Sequence, residues 1–168
     1  MRVLVVGATG ILRPTAERLV AAGHDVTGVA RSISNMPLDA HAIAVDAQDP
    51  GALGAALGDR RWDSAVVYSP ATSPESLELL RDAVRGTFVT VVTSAAAASG
   101  LGNRPLRPGE LVLGWYPSPS GARWHTAREV SDAALQVLAT NKSRVLGVLS
   151  PWGDRPGEPG HQVRRRQH

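Results

Sequence analysis

The stretch that decides the fold lies near the N-terminus and reads Val3-Leu4-Val5-Val6-Gly7-Ala8-Thr9-Gly10-Ile11-Leu12-Arg13. Its four apolar residues predict a buried strand, and its two glycines predict a tight turn into a helix. Residues without a β-carbon let backbone N–H groups approach an anion closely, and the start of a helix offers unpaired donors. The turn therefore predicts a pyrophosphate-binding loop; the alternative is a fold that uses these glycines for turn geometry alone.

Beyond this turn, short β-branched runs alternate with helical patterns, which indicates a parallel sheet covered by helices on both faces. Six further strands are predicted at residues 25–30, 42–45, 64–68, 87–93, 111–116 and 145–149. Helices are predicted at residues 10–22, after Asp49-Pro50, after Ser73-Pro74 and from Thr126, where Glu129 completes a capping box. Residues 95–109 are predicted to be a loop because they contain several glycines and prolines.

The whole pattern predicts one α/β domain, a doubly wound parallel sheet of the Rossmann type with about seven strands. We expect this domain to span residues 1–152 and to be followed by a flexible basic tail, residues 153–168, which contains Arg164, Arg165 and Arg166. The three arginines have no interleaved aromatic residues, so we expect a solvated end of the chain and no nucleic-acid partner.

Composition excludes several classes of function. The 168 residues are 43% hydrophobic and 20% charged with a net charge of +3, which is typical of a packed globular domain. The absence of cysteine excludes disulfides, thiolate zinc sites and a cysteine nucleophile. The histidines show no ligand spacing with carboxylates, so no metal site is expected. No apolar run is long enough for a signal peptide or a membrane span, and we expect a soluble, cytoplasmic protein.

With Gly7 and Gly10 at the first strand-to-helix turn, the chain resembles the short-chain dehydrogenase/reductase superfamily in its atypical or extended branch, where Gly-x-x-Gly-x-x-Gly opens the domain. Arg13 occupies the position of the third glycine, which implies a helix that stands slightly off the strand or an arginine that lies over the phosphates. The likeness extends to residues 123–131 and to Ser150-Pro151-Trp152.

The resemblance implies a nicotinamide dinucleotide bound along the glycine turn and the ends of the next strands. Arg31 follows the second strand, where an arginine accommodates the 2′-phosphate of NADP, so NADP is expected ahead of NAD. Asp46 matches an aspartate that bonds the adenine amino group, and Ser69 lies in the segment that contacts ribose. The alternatives are a solvated arginine at Arg31, a turn or helix-capping aspartate at Asp46 and a turn serine at Ser69. The residues predicted to bind the cofactor are Gly7, Thr9, Gly10, Ile11, Leu12, Arg13, Arg31, Asp46 and Ser69.

The usual catalytic residues of the superfamily are incomplete in this chain. Ser94 matches its serine, but the chain contains no Tyr-x-x-x-Lys, because its tyrosines are Tyr68 and Tyr116 and its one lysine, Lys142, follows the last predicted helix. Three hypotheses remain open: an oxidoreductase for a small molecule that works without the Tyr/Lys pair, a non-catalytic NAD(P) sensor or partner subunit, and a non-redox enzyme for a cyclisation or isomerisation. If the protein is an oxidoreductase, its catalytic candidates are Ser94 and Tyr116, and His125 is a further candidate near the carboxyl edge of the sheet.

Three tryptophans, Trp115, Trp124 and Trp152, lie in the C-terminal third of the chain. They would line an aromatic pocket, form a homodimer face or pack in the core. The short C-terminal part predicts a small substrate or an open cleft.

Overall fold

The computed structural model describes residues 1–100 and 105–157. Seven parallel strands form one sheet: β1 (Arg2–Val6), β2 (Asp25–Ala30), β3 (His41–Ala44), β4 (Ser64–Tyr68), β5 (Phe88–Thr93), β6 (Glu110–Leu113) and β9 (Arg144–Leu146). Between β6 and β9 lies an antiparallel hairpin of β7 (Trp115–Tyr116) and β8 (Arg123–Trp124). The spatial order of the sheet is β3-β2-β1-β4-β5-β6-β9, which confirms the predicted doubly wound α/β domain of seven strands.

Among residues 1–100 and 105–157, five helices accompany the sheet: α1 (Arg13–Ala21), α2 (Pro50–Leu57), α3 (Pro74–Asp82), α4 (Ser94–Gly100) and α5 (Ala127–Thr140). The alternation of side chains along β1 explains why both faces of the sheet are covered. Val3 and Val5 are buried in one apolar cluster with residues of α1 and α5, whereas Leu4 and Val6 are buried in a second cluster with residues of α2 and α3. The two clusters are the two cores of the domain.

The helix starts predicted at Asp49, Ser73 and Thr126 are confirmed, whereas the helix predicted from residue 10 begins at Arg13, after the glycine turn. Asp49 accepts a hydrogen bond from the Ala52 N–H at 3.0 Å, and Ser73 accepts one from the Ser76 N–H at 3.1 Å. In each case a proline follows the capping residue, because the first helical position needs no N–H donor. Thr126 and Glu129 form the predicted capping box at the start of α5.

The predicted strand at residues 111–116 is interrupted at Gly114. A β-carbon on Gly114 would lie 2.2 Å from the carbonyl oxygen of Val148, because the chain that follows β9 crosses here. Trp115 and Val148 form an antiparallel bridge with both N–H to O distances at 3.0 Å. The chain therefore leaves the sheet after Leu113 and enters the β7–β8 hairpin, which carries Trp124 to the carboxyl edge of the sheet.

The predicted loop at residues 95–109 is wrong in its first part, since α4 extends to Gly100. The alanine-rich start of this segment has high helix propensity, and its glycines and prolines are concentrated further along. At the other end of the domain, Trp152–Asp154 forms a single 3₁₀ turn, and residues 158–168 of the predicted tail lie outside the described residues. Within the described residues, no helix has the length and apolar character that crossing a bilayer requires.

Candidate functional site

The strand order places the candidate site at the carboxyl ends of β1 and β4. From this pair the chain order runs outward in opposite directions, and such a switch point opens a crevice in doubly wound sheets. Gly7 follows β1 with φ +93°, and its N–H donates to the carbonyl of Val29 at 3.0 Å. The Gly10 N–H donates back to the carbonyl of Gly7 at 3.1 Å. The glycine turn is thereby held directly above the sheet edge.

A cleft of about 440 Å³ opens beside this turn, a size within the range of small-molecule sites. We call it the glycine cleft; it lies between the glycine turn and the loops that follow β2, β3 and β4. Residues from those four segments that line it include Gly7, Thr9, Gly10, Ile11, Arg31, Asp46, Gln48, Tyr68, Pro70 and Ala71.

The donors around the glycine cleft fit phosphate groups. Within the described part of the chain, the backbone N–H groups of Thr9, Ile11 and Leu12 donate no hydrogen bond, and Arg31 has no carboxylate partner. A β-carbon on Gly10 would meet only the Gly7 carbonyl oxygen, at 3.8 Å, so the space above that residue is open. Unpaired N–H groups at the start of α1 and one cationic side chain suit a pyrophosphate and a further phosphate.

The far end of the glycine cleft is closed by the loops after β3 and β4. The side chain of Asp46 accepts the N–H of Gln48 at 3.0 Å, which tightens the loop after β3. The side-chain amide of Gln48 donates to the carbonyl of Pro70 at 2.9 Å and joins that loop to the one after β4. Asp46 lies on the cleft wall beside this bridge.

Three of the predicted cofactor-binding side chains lie outside the cleft lining. The side chain of Leu12 is fully buried in the core with Ala16 and Leu19. Arg13 donates from Nε to Glu17 at 2.8 Å on the surface of α1, rather than reaching back over the glycine turn. Ser69 begins a 3₁₀ turn, and its carbonyl accepts the N–H of Thr72 at 3.0 Å. Leu12 therefore has only its backbone N–H free to donate to a ligand.

A second cavity, of about 340 Å³, lies further along the same edge of the sheet. We call it the inner cavity. Ile11 and Tyr68 line both the glycine cleft and the inner cavity, so the two spaces adjoin across these side chains. Ser94, which begins α4 directly after β5, lines the inner cavity and is only 4% exposed. The remaining walls are mostly apolar and come from Thr93, Ala95, Leu113, Gly114, Trp124, His125 and Val130.

Tyr68 is the site residue that the sequence analysis did not select. It ends β4, the strand next to β1, and its β-carbon packs against Gly7. Burial raises the pKa of the Tyr68 phenol, so the hydroxyl group stays protonated at neutral pH. Its position at the end of the fourth strand could have identified Tyr68 from the sequence. In a sheet of this strand order, the fourth strand borders the switch point.

Tyr116, the tyrosine selected from the sequence, is placed elsewhere. It is 48% exposed on the β7–β8 hairpin, with the guanidinium of Arg123 stacked 4.6 Å from its ring centroid. Its ring is edge-on to His125 with centroids 6.5 Å apart, but Tyr116 is not among the residues that line the inner cavity. The hairpin bends away from the sheet after Gly114 and takes Tyr116 with it.

His125 is buried next to an ionised carboxylate. Its side chain is 5% exposed, and neither ring nitrogen has a hydrogen-bond partner within the described residues. Nδ1 lies 3.6 Å from Oε2 of Glu129. Arg123 donates to both oxygens of Glu129 at 2.9 and 2.8 Å, and these bonds, with the Thr126 N–H, hold the pKa of Glu129 well below its usual range. This network ties the hairpin to the start of α5 and so supports the outer wall of the inner cavity.

A third space, the outer cleft, adjoins the inner cavity. It has a volume of about 490 Å³, and Ser94, Ala95 and Trp124 line both spaces. Its other walls come from the segment after β9, with Trp152, Gly153, Arg155, Pro156 and Gly157. The glycine cleft, inner cavity and outer cleft therefore form one series along the carboxyl edge. Within the described residues, no three histidine, aspartate or glutamate side chains gather as metal ligands would.

Neither a protein-family model nor a curated protein matches the sequence. Solved structures match at the level of fold. An aldohexose dehydrogenase from Thermoplasma acidophilum, solved without ligand, is 13% identical with a TM-score of 0.61 over 87% of this chain and 92% of its own. The TT0495 protein from Thermus thermophilus is 18% identical with a TM-score of 0.61, over 87% and 96% of the two chains. A protein described as a short-chain dehydrogenase/reductase from Burkholderia multivorans, with bound NADP, is 16% identical with a TM-score of 0.56, over 87% and 95%.

The chain has the Rossmann fold of short-chain dehydrogenase-like proteins. This outcome confirms the predicted fold, and it supports the resemblance to short-chain dehydrogenases at the level of the fold. In doubly wound sheets, the crevice at the switch point is the general place for a ligand, and here the glycine cleft lies at the switch point between β1 and β4.

Proposed function

We propose that the protein is an NADP(H)-dependent oxidoreductase that acts on a small carbonyl compound or alcohol without a Tyr/Lys pair. One observation carries the proposal: Ile11 and Tyr68 line both the glycine cleft and the inner cavity that contains Ser94. A dinucleotide extended along this edge would place its phosphates at the glycine turn and its nicotinamide next to the inner cavity. A small second molecule would then have room beside the ring.

The cofactor assignments follow from the donors of the glycine cleft. The N–H groups of Thr9, Ile11 and Leu12 would bind the pyrophosphate over Gly7 and Gly10, and Arg31 would bind the 2′-phosphate. Asp46, on the cleft wall, would accept from the adenine amino group. The NADP bound by the similar Burkholderia multivorans protein supports a nicotinamide cofactor in this fold.

When bound, NADPH supplies a hydride to the carbonyl carbon, and the carbonyl oxygen takes one proton, so that the products are an alcohol and NADP⁺. In our proposal, Ser94 donates a hydrogen bond to the carbonyl oxygen and Tyr68 supplies the proton, which it regains from water. Lys142 lies beyond the end of α5, after the left-handed Asn141, so no lysine is available to lower the pKa of Tyr68. The apolar walls of the inner cavity strengthen these polar contacts by excluding water.

The experiment is a calorimetric titration of the nucleotide-free protein with NADPH and, separately, with NADH. We expect binding of both and a lower dissociation constant for NADPH. Absence of binding by protein that circular dichroism shows to be folded would overturn the proposal and favour non-redox chemistry in the cleft. Where NADPH binds, carbonyl compounds are screened by loss of the reduced nicotinamide absorbance, and Ser94→Ala is expected to lower the turnover number while the dissociation constant of NADPH stays within about twofold.

A homodimer and a cytoplasmic location stay predictions from the sequence.

A further inference from the structure

We propose that the outer cleft binds the substrate as a planar aromatic carboxylate, with its ring against Trp124 and Trp152 and its carboxylate on Arg155. This inference rests on the proposed function, because it assigns the substrate class to the space that adjoins the inner cavity through Ser94, Ala95 and Trp124. The proposed nicotinamide position lies next to Tyr68 and Ile11, which line the inner cavity but not the outer cleft.

Two partly exposed tryptophans form aromatic walls of the outer cleft. Trp124 is 42% exposed and Trp152 is 38% exposed. Each side chain therefore leaves a large apolar area in contact with water. Both pack edge-on against the buried Trp115, with centroid separations of 6.4 and 6.0 Å. The same buried ring thus holds two indoles in place at one cleft, and their uncovered surfaces offer stacking area to a planar ligand.

The outer cleft also carries a positive charge. Among the residues that line it in the described part of the chain, Arg155 alone carries a charge. Its guanidinium lies 4.7 Å from the ring centroid of Trp152, and its Nη1 donates to the Trp152 carbonyl at 3.2 Å. Arg155 has no carboxylate partner within the described residues. When the face of a guanidinium lies on an indole, the N–H groups along the guanidinium edge stay available. A carboxylate can accept hydrogen bonds from these N–H groups.

Ser94 lies where the outer cleft meets the inner cavity. It lines both the inner cavity and the outer cleft. A ring stacked on Trp124 or Trp152 and anchored at Arg155 would direct a carbonyl substituent on its opposite side toward Ser94. The outer cleft therefore selects a substrate with an anionic group at one end of a planar system and the reactive carbon at the other.

The test uses 2-naphthoate as the probe and 2-naphthamide as its uncharged match, each titrated calorimetrically into the full-length protein with and without NADPH. We expect 2-naphthoate to bind at least about tenfold more tightly than 2-naphthamide, as a charge-assisted bond requires. Arg155→Gln should remove that difference. Arg85→Gln, in the segment that leads into β5 and thus at the opposite edge of the sheet, should retain it, and circular dichroism serves to check that both variants are folded.

A second readout locates the ligand. The chain contains four tryptophans, so a ¹H–¹⁵N spectrum shows four indole signals, which Trp124→Phe and Trp152→Phe assign. We expect 2-naphthoate to shift the indole signals of Trp124 and Trp152. The signal of Trp62 should not change, because Trp62 lies in the core formed with α2 and α3, where its indole N–H donates to the Thr27 hydroxyl at 3.1 Å. Equal affinity for naphthoate and naphthamide, unchanged indole signals of Trp124 and Trp152, or competition between naphthoate and NADPH would overturn the inference.

The two proposals fail separately. If NADPH binds and naphthoate does not, the substrate class is wrong and the cofactor assignment stands. If naphthoate binds as described and NADPH does not, the outer cleft is an aromatic carboxylate site and the oxidoreductase proposal is wrong.

Discussion

A β-carbon placed on Gly7 would lie 3.2 Å from the β-carbon of Tyr68. The close approach joins the ends of β1 and β4 at the switch point, and it places the glycine turn against the residue that separates the glycine cleft from the inner cavity. Gly7 is also at φ +93°, where residues with side chains are strained.

We therefore expect Gly7→Ala to lower the free energy of unfolding by about 2 kcal/mol, because strain at a positive φ costs roughly 1–3 kcal/mol, and to weaken NADPH binding as well. Gly10→Ala is the matched variant, since its φ is not positive and its new β-carbon would meet no tight contact. It should stay within about 0.5 kcal/mol of the wild type in urea unfolding, yet bind NADPH at least about tenfold more weakly, because the methyl group fills the space above the turn. Unchanged NADPH affinity in Gly10→Ala would show that the turn does not hold the phosphates.

Arg31→Asp tests the 2′-phosphate assignment. Replacing the cation by an anion should raise the dissociation constant of NADPH by about ten- to a hundredfold, as expected for a lost charge-assisted bond, and leave that of NADH within about threefold. Arg85→Asp is the control for the change in net charge. An unaltered ratio of the two dissociation constants in Arg31→Asp would assign the 2′-phosphate contact to another residue.

Tyr68 should ionise above the ordinary tyrosine pKa of 10.0, because burial raises its pKa. The folded protein then holds the phenolic proton more tightly than the unfolded chain, so stability falls as the pH rises above 10.0. In Tyr116→Phe the one remaining tyrosine is Tyr68, so an ultraviolet difference titration of this variant isolates its phenol. We expect its midpoint above pH 10.0; a midpoint at or below 10.0 would contradict the partial burial of Tyr68 between the two spaces.

Glu129 should contribute to acid sensitivity. Its pKa is held below the ordinary value of 4.5 in the folded protein, first by Arg123 and then by the Thr126 N–H. The stabilisation is therefore present above pH 4.5 and is lost as the pH falls below it. We expect the urea midpoint of the wild type to fall more steeply below this pH than that of Glu129→Gln. Glu78→Gln, which alters an exposed glutamate of α3, should keep the wild-type slope.

Much of the fold is predictable from the sequence because its signals are local. The apolar run before Gly7, the alternation of β-branched and helical segments, and the caps at Asp49, Ser73 and Thr126 each depend on a few neighbouring residues. The same is true of the glycine turn, because a strand that leads through glycines into a helix forms the same backbone whatever surrounds it. Arg31 and Asp46 could be placed at the ends of predicted strands for a similar reason, since each directly follows such a strand in the sequence.

The choice between the two tyrosines depended on tertiary structure. Tyr68 and Tyr116 both follow apolar runs, and nothing local distinguishes them. Only the strand order places the end of β4 beside β1, and only the crossing of the chain at Gly114 and Val148 directs Tyr116 away from the sheet.

The amino-acid sequence by itself determined the succession of strands and helices, their caps and the glycine turn, because these depend on contacts between residues a few positions apart. Tertiary structure alone decided that Ser94, Trp124, Trp152 and Arg155 would share one cleft. Ser94, Trp124 and the Trp152–Arg155 segment are distant from one another along the chain, and they meet because parallel strands end at a common edge and the segment after β9 returns to Trp115.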